Sequence, residues 1–314
     1  MLIVVALGGN AVSLPGTEGS IPQQFAATRA AIKPVADLIA RGERVLITHG
    51  NGPQVGNVMR RVEIAAQHQV YPLPLDIVVA DTEAGMGYMI SQCLMNELRS
   101  RGIERLCSTI VTTVRVDPDD AAFANPNKPV GPFMTEAAAQ KHAREDGWKV
   151  ANDSGRGWRR VVPSPLPREI VELPLLATLV KAGQIVVAAG GGGIPVMTDE
   201  HGMWRGIEAV IDKDRTSAIL ASELGADVLA ILTNVDRVQR DFGKTTAREI
   251  EKMSVPEARA MLDEGQFSPG SMRPKVEAAI EFLEKSEKGR EVLITSCERF
   301  AEAMQGKTGT RVVR

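Results

Sequence analysis

Aromatic residues are scarce in this chain, at 4% of 314 residues, with three tryptophans and two tyrosines. Its core must therefore be built mostly from Val, Ile, Leu, Ala and Met. Cysteine is as rare. Cys93, Cys107 and Cys297 are odd in number and far apart, which excludes a disulfide framework and fits a reducing compartment. An excess of one charge is also missing, and the net charge of −2 gives no basis for a nucleic-acid surface. No apolar run reaches membrane-spanning length, and Met1 leads directly into a strand-like run rather than a charged leader. The histidines His49, His68, His142 and His201 are scattered, and no pair has metal-ligand spacing. These absences predict a soluble, cytoplasmic protein with no nucleic-acid or membrane partner and no metal site built from side chains.

What is present is ordinary globular material, 44% apolar and 24% charged, long enough for one large domain or two intimate lobes. Apolar runs alternate with longer amphipathic segments, the pattern of βα units and an α/β fold with a mostly parallel sheet. The clearest strands are Ile3–Leu7, Val45–Thr48, Ser108–Val114, Ile185–Ala189, Val228–Thr233 and Val292–Thr295. Helical spacing marks Gln24–Ala40, Asp76–Arg99, Leu173–Lys181, Thr216–Leu224, Pro256–Leu262 and Pro274–Lys285. From Asp117 to Pro167 the rhythm fails. That stretch is rich in Pro, Asn, Asp, Gly and Trp, carries one short helix at Thr135–Ala143, and reads as a small subdomain protruding from the sheet.

Glycine-rich turns follow the strands at Gly8-Gly9-Asn10, at Gly50-Asn51-Gly52 and at Gly190 to Gly193, with a weaker turn at Asn234-Val235-Asp236. Glycine clusters at the ends of separate parallel strands imply a shared concave site lined with backbone N–H donors, suited to an anion. None of them has the spacing of a P-loop or of a dinucleotide fingerprint. Phosphoryl groups held in such a cradle need cations against developing charge. Three candidates stand out: Lys213 between Asp212 and Asp214, Lys275 in the first turn of a helix, and Lys128 between prolines in the protruding segment. Glu83, on an apolar helix, reads as capped or paired rather than catalytic.

Taken together, these motifs resemble the carbamate kinases of the amino acid kinase family. The resemblance runs nearly end to end: Ala6 to Ala11, Thr48 to Gly56, Pro74 to Asp76, Asn125 to Phe133, Gly157 to Pro165, Gly190 to Pro195, Glu208 to Asp214 and Gly270 to Lys275. It implies a three-layer αβα sandwich and a homodimer. An N-terminal lobe over 1–225 would bind carbamate or carbamoyl phosphate and contain the lid at about 117–167, and a C-terminal lobe over 226–314 would bind nucleotide. It also implies reversible phosphoryl transfer between ATP and carbamate with Mg2+, usually run toward ATP. By position, Gly8, Gly9, Asn10, Gly50, Asn51 and Gly52 would hold the carbamoyl and transferring groups. Lys128 would be the subdomain lysine, Lys213 and Lys275 would stabilise the transferring phosphoryl, and Asp214 with Asp212 would orient them. Gly191, Gly192, Asn234, Val235, Asp236, Val238, Ser271, Met272 and Lys275 would line the nucleotide.

The chain departs from the family pattern at Glu83-Ala84, where Gln-Gly is usual, and at Asn234, Gln239 and Arg273. A carboxylate at position 83 would repel an anionic substrate if it pointed inward. Two alternatives stay open on sequence grounds: a kinase of another acyl or uridylate acceptor, and a sensor that binds nucleotide or carbamoyl phosphate without turnover.

Overall fold

A computed structural model describes residues 1–9, 19–153, 157–268, 270–287 and 289–314, and the expected ligand residue Asn10 lies outside them. Eight strands form the central sheet: β1 (Leu2–Leu7), β2 (Arg44–His49), β3 (Cys107–Ile110), β4 (Ile185–Ala188), β5 (Val228–Thr233), β6 (Lys252–Ser254), β7 (Glu291–Ser296) and β8 (Thr310–Val313). Their order is β6-β8-β7-β5-β1-β2-β4-β3, and every pair is parallel except β7 with β8. All six residues of β1 are buried, as its unbroken apolar run requires of a strand covered on both faces.

Alternation along β1 sorts its side chains into two cores. Leu2 and Val4 join one with Leu46, Val186, Leu229 and Ile231; Ile3, Val5 and Leu7 join the other with Val45, Ile47 and Ala230. On the first face lie α5 (Leu173–Lys181), α6 (Lys213–Glu223), α7 (Val255–Asp263) and α8 (Met272–Lys285); on the second lie α1 (Ile21–Ala40) and α3 (Leu75–Ser100). The result is the expected αβα sandwich. Each Val, Ile or Leu so buried contributes about 1.5–3 kcal/mol before conformational entropy is subtracted.

Three features differ from the sequence reading. Ser108–Val114 is not one strand. The chain turns between β3 and Thr113–Val116, which joins a second sheet with Pro167–Ile170, Ile194–Thr198 and Trp204–Gly206. Gly50-Asn51-Gly52 is followed at once by a helix absent from the periodic pattern, α2 (Gly52–Ala66). The segment 117–167 holds a separate antiparallel sheet of Lys128–Met134, Trp158–Val162 and Val150–Asn152, besides α4 (Glu136–Glu145). That sheet meets the body through Val130 and Val162, which pack with Val55 and Met59 of α2 and Leu75 and Val78 of α3.

Candidate active site

β1 lies where the sheet's order reverses, between the early strand β2 and the late strand β5, and ligands of open α/β sheets sit beyond the carboxyl ends at such a point. The glycine turns converge there. A methyl group on Gly8 would lie 2.7 Å from the Leu232 carbonyl oxygen, and one on Gly50 would lie 3.2 Å from the Gly9 nitrogen. One on Gly191, whose φ of +69° already favours glycine, would lie 2.3 Å from Asn51 Oδ1. Backbones this close leave no room for side chains.

Beneath the turns runs α6. Thr216 Oγ1 donates to the Gly192 carbonyl at 2.9 Å, and Ser217 Oγ meets Thr48 Oγ1 of β2 at 2.7 Å. One turn earlier on the same helix, the Lys213 stem passes 3.8 Å from the position a Gly50 Cβ would take. Asp212 caps the helix, its carboxylate accepting from the Asp214 N–H at 3.0 Å.

The three expected lysines meet these two aspartates. Lys213 Nζ donates to Asp214 Oδ1 at 2.5 Å and Lys275 Nζ to Asp214 Oδ2 at 2.8 Å, so one carboxylate holds two ammonium groups. Lys128 Nζ reaches Asp212 Oδ2 at 3.0 Å from the first residue of the small sheet. Lys275 stands in the first turn of α8 and Lys213 in that of α6, so two positive helix ends reinforce the cluster.

Burial alone would raise the Asp214 carboxyl, but Lys213 and Lys275 outweigh it and hold that group well below the usual carboxylate range. Burial likewise opposes the charge of Lys275, yet its pairing with Asp214 raises it above an ordinary lysine. For Lys213 burial wins, helped by Lys275, and its ammonium titrates lower than usual. Asp212 is lowered because Lys128 overcomes its burial. The arrangement is a buried, pre-formed charge cluster with two lysines oriented by one anion. It can stabilise negative charge appearing on a transferring group.

Other expected site residues are engaged in structure. Gly50 donates its N–H to the Leu7 carbonyl at 3.1 Å, and buried Asn51 donates from Nδ2 to Thr82 Oγ1 at 3.0 Å. Gly52 is the first residue of α2, and a Cβ there would meet open space. After β5, Asp236 Oδ1 accepts from Ser296 Oγ at 2.5 Å. Val238 is buried, and its N–H bonds Thr310 Oγ1 at 2.8 Å. Ser271 stands just before α8 without a side-chain capping bond, Met272 opens the helix, and Arg273 turns along it to pair with Glu277 at 2.8 Å. Asn234 and Val235 form the short link out of β5.

Glu83 does not point at the lysines. Its Oε1 accepts from the N–H groups of Thr112 at 3.2 Å and Gly190 at 3.0 Å, inside the wall of the site. Sequence reasoning marked Glu83 as a departure and as a capped or paired side chain, and missed Thr48, Thr112, Thr216 and Ser217. For the last two a signal existed, since they lie three and four residues after Lys213 on one helix face. Among the described residues, no group of three or more His, Cys, Asp or Glu side chains is placed to hold a metal ion.

Residues 1–296 match the amino acid kinase family model. The chain is 48% identical to a carbamate kinase of Thermococcus kodakarensis over 99% of both proteins. It is 47% identical to carbamate kinase 3 of Staphylococcus aureus, covering 99% of this chain and 98% of that one. A solved carbamate kinase from Giardia lamblia bound to AMP-PNP superposes with a TM-score of 0.91 at 39% identity, covering 99% of this chain and 98% of the other.

Proposed function

Because the chain belongs to the amino acid kinase family, we propose that it is a carbamate kinase, catalysing ATP + carbamate = ADP + carbamoyl phosphate, and that it runs mainly toward ATP. One observation carries the reading at the chemical level. A buried aspartate holds two lysines at the rim of converging glycine turns, in a chain that aligns over nearly its whole length with carbamate kinases.

In the ATP-forming direction, a β-phosphate oxygen of ADP attacks the phosphorus of carbamoyl phosphate. The new P–O bond forms as the bond to the carbamoyl oxygen breaks, and carbamate leaves with that electron pair. No covalent enzyme intermediate is needed, so positioning and charge compensation carry the catalysis. Lys213 and Lys275 offset charge on the phosphoryl oxygens in flight, and Asp214 keeps both ammonium groups aimed. Gly8, Gly9, Asn10, Gly50, Asn51 and Gly52 form the carbamoyl side. Gly191, Gly192, Asn234, Val235, Asp236, Val238, Ser271 and Met272 form the nucleotide side; nucleotide binding itself is supported by the relative solved with AMP-PNP. Residues 1–225 and 226–314 act as the two lobes, and Lys128 brings the lid at 117–167 onto the substrate.

The aspartates are occupied by lysines, so the described residues do not provide a cage for Mg2+. Mg2+ would be held by the phosphates of the nucleotide rather than by these side chains, and would there neutralise phosphate charge. A soluble cytoplasmic homodimer is the form we assign, and no helix among the described residues is long and apolar enough to cross a membrane.

Mixing the protein with MgADP and carbamoyl phosphate and following ATP is the direct test. ATP formed well above the uncatalysed background is expected, and its absence with folded protein would refute the reading.

A further inference from the structure

Glu83 lies at the centre of a bonding pattern that the reaction as described does not use. Its Oε1 binds the Gly190 N–H, while Thr112, whose own N–H is held by the same oxygen, grips the turn from both sides. Thr112 Oγ1 accepts from the Ala189 N–H at 2.9 Å, and its carbonyl accepts from the Ile194 N–H at 2.8 Å. Ala189 has a left-handed φ of +51°, uncommon for a residue with a Cβ, so this end of the turn needs such holding. The preceding residue on α3, Thr82, holds Asn51, which packs against Gly191. One turn of α3 thus fastens the β2 and β4 turns together.

The other carboxyl oxygen, Oε2, is buried with no hydrogen-bond partner among the described residues, and no cation pairs with it there. Across Gly190 stands His49, whose Nδ1 faces the Gly50 carbonyl at 3.2 Å and whose Nε2 is likewise buried without a partner. A methyl group on Gly190 would lie 2.3 Å from that Nε2 and 2.9 Å from Glu83 Cγ, so the two side chains pinch the turn. The second carboxyl nearby, Glu172, holds the next N–H, that of Thr113, at 2.7 Å. An ionised Glu83 would place unsolvated negative charge here, whereas a carboxylic acid keeps the acceptor and sheds the charge.

We propose that Glu83 is a neutral, protonated strut that positions the Gly190–Gly192 turn of the phosphoryl cradle, and that losing its proton loosens the turn. This role rests on the kinase reading for its effect on rate, but not for its effect on stability.

Burial, with a smaller contribution from Glu172, pushes the Glu83 carboxyl up to about 8, against the pull of the two N–H groups and of the Thr112 hydroxyl. The groups facing it are Glu172 and His49; His49 is held neutral by burial, with Lys213 beyond it also opposing its charge. Since this acid titrates higher folded than unfolded, ionisation of the unfolded chain disfavours folding as pH rises from about 4.5 toward about 8. Lys213, lowered by burial, loses its charge earlier than an ordinary lysine, so kcat/KM carries an alkaline loss of its own that any Glu83 variant retains, while its effect on stability runs the opposite way, a gain as pH rises.

The experiment compares the wild type with Glu83→Gln, a neutral side chain that still accepts. For each, kcat/KM and Tm are followed from pH 6 to 9.5, normalised to the protein's own maximum. Wild-type kcat/KM is expected to fall more steeply above about pH 8, approaching tenfold further loss per pH unit. The decline of Tm with pH should flatten in the variant. Superimposable profiles would overturn the strut. If neither protein makes ATP but the Tm profiles differ, the strut stands and the kinase reading fails. Should the variant not fold, infrared spectra of the wild type decide: a protonated carboxyl band at neutral pH that vanishes at alkaline pH is expected, and its absence refutes the proposal.

Discussion

At the scale of single residues, the shared carboxylate of Asp214 matters most. Lys213→Ala and Lys275→Ala are each expected to lower kcat about 100- to 1,000-fold, roughly 3–4 kcal/mol of barrier, with smaller changes in KM. Steady-state kinetics with carbamoyl phosphate varied would separate the two, and a change confined to KM would contradict the assigned role. Asp214→Asn strips the anion from two buried ammonium groups at once. A stability loss of about 3–5 kcal/mol is expected in urea unfolding, beside the loss of turnover. Because Asp214 is depressed and Lys275 raised, their mutual stabilisation is complete across neutral pH. It fades only in strong acid, or above the ordinary lysine range. His49 behaves differently. Burial lowers it to about 4, so unfolded chains take up a proton between pH about 6.5 and 4 that the folded protein refuses. Stability should fall by up to about 3 kcal/mol across that window. Tm measured against pH should show the slope in the wild type and lose it in His49→Gln.

Among elements, the glycine turns are the most tightly specified. Gly190→Ala would drive a methyl group into His49 and the Glu83 stem, and a cost of about 1–3 kcal/mol or more is expected from overpacking, measurable as a lower urea midpoint. The small sheet reaches the cluster through Lys128 alone among the three lysines. Lys128→Ala should raise KM for carbamoyl phosphate and lower kcat/KM, and an unchanged KM would argue against a lid. Much of this level could be read from the residues. The β1 run, the glycines after β1, β2 and β4, and the lysines between aspartates or beside proline all carry local signals. The break at Thr112 does not. Ser108–Val114 has unbroken strand composition, and what bends it is a pair of carboxyls, Glu83 and Glu172, that come from distant parts of the chain. The helix α2 was hidden by the glycine and proline at its start. The strands of the small sheet are largely half-exposed, without the alternation that would reveal them. That Asn51 and Val238 are also hydrogen-bonded within the fold is invisible in sequence, because Thr82 and Thr310 supply the partners.

For the whole molecule, the sheet is continuous across the boundary drawn near residue 225. β1 pairs with β5 along Ile3 to Ala6, and the Leu2 N–H bonds Asp227 Oδ2 at 2.7 Å. A fragment of residues 1–225 would leave the interior strand β1 with one bare apolar edge. It is expected to aggregate or stay partly unfolded, as judged by gel filtration and circular dichroism, and to make no ATP. A soluble, well-folded fragment would show that the two lobes are independent. The same pairing imposes an order on the protein's synthesis. At about 5–20 residues per second, β1 leaves the ribosome roughly ten to fifty seconds before its partner strand β5 does. The six buried residues on which the site is built thus spend that interval with one edge open, in reach of chaperones and of neighbouring nascent chains. Translation speed between β1 and β5 thus sets how long that edge stays open.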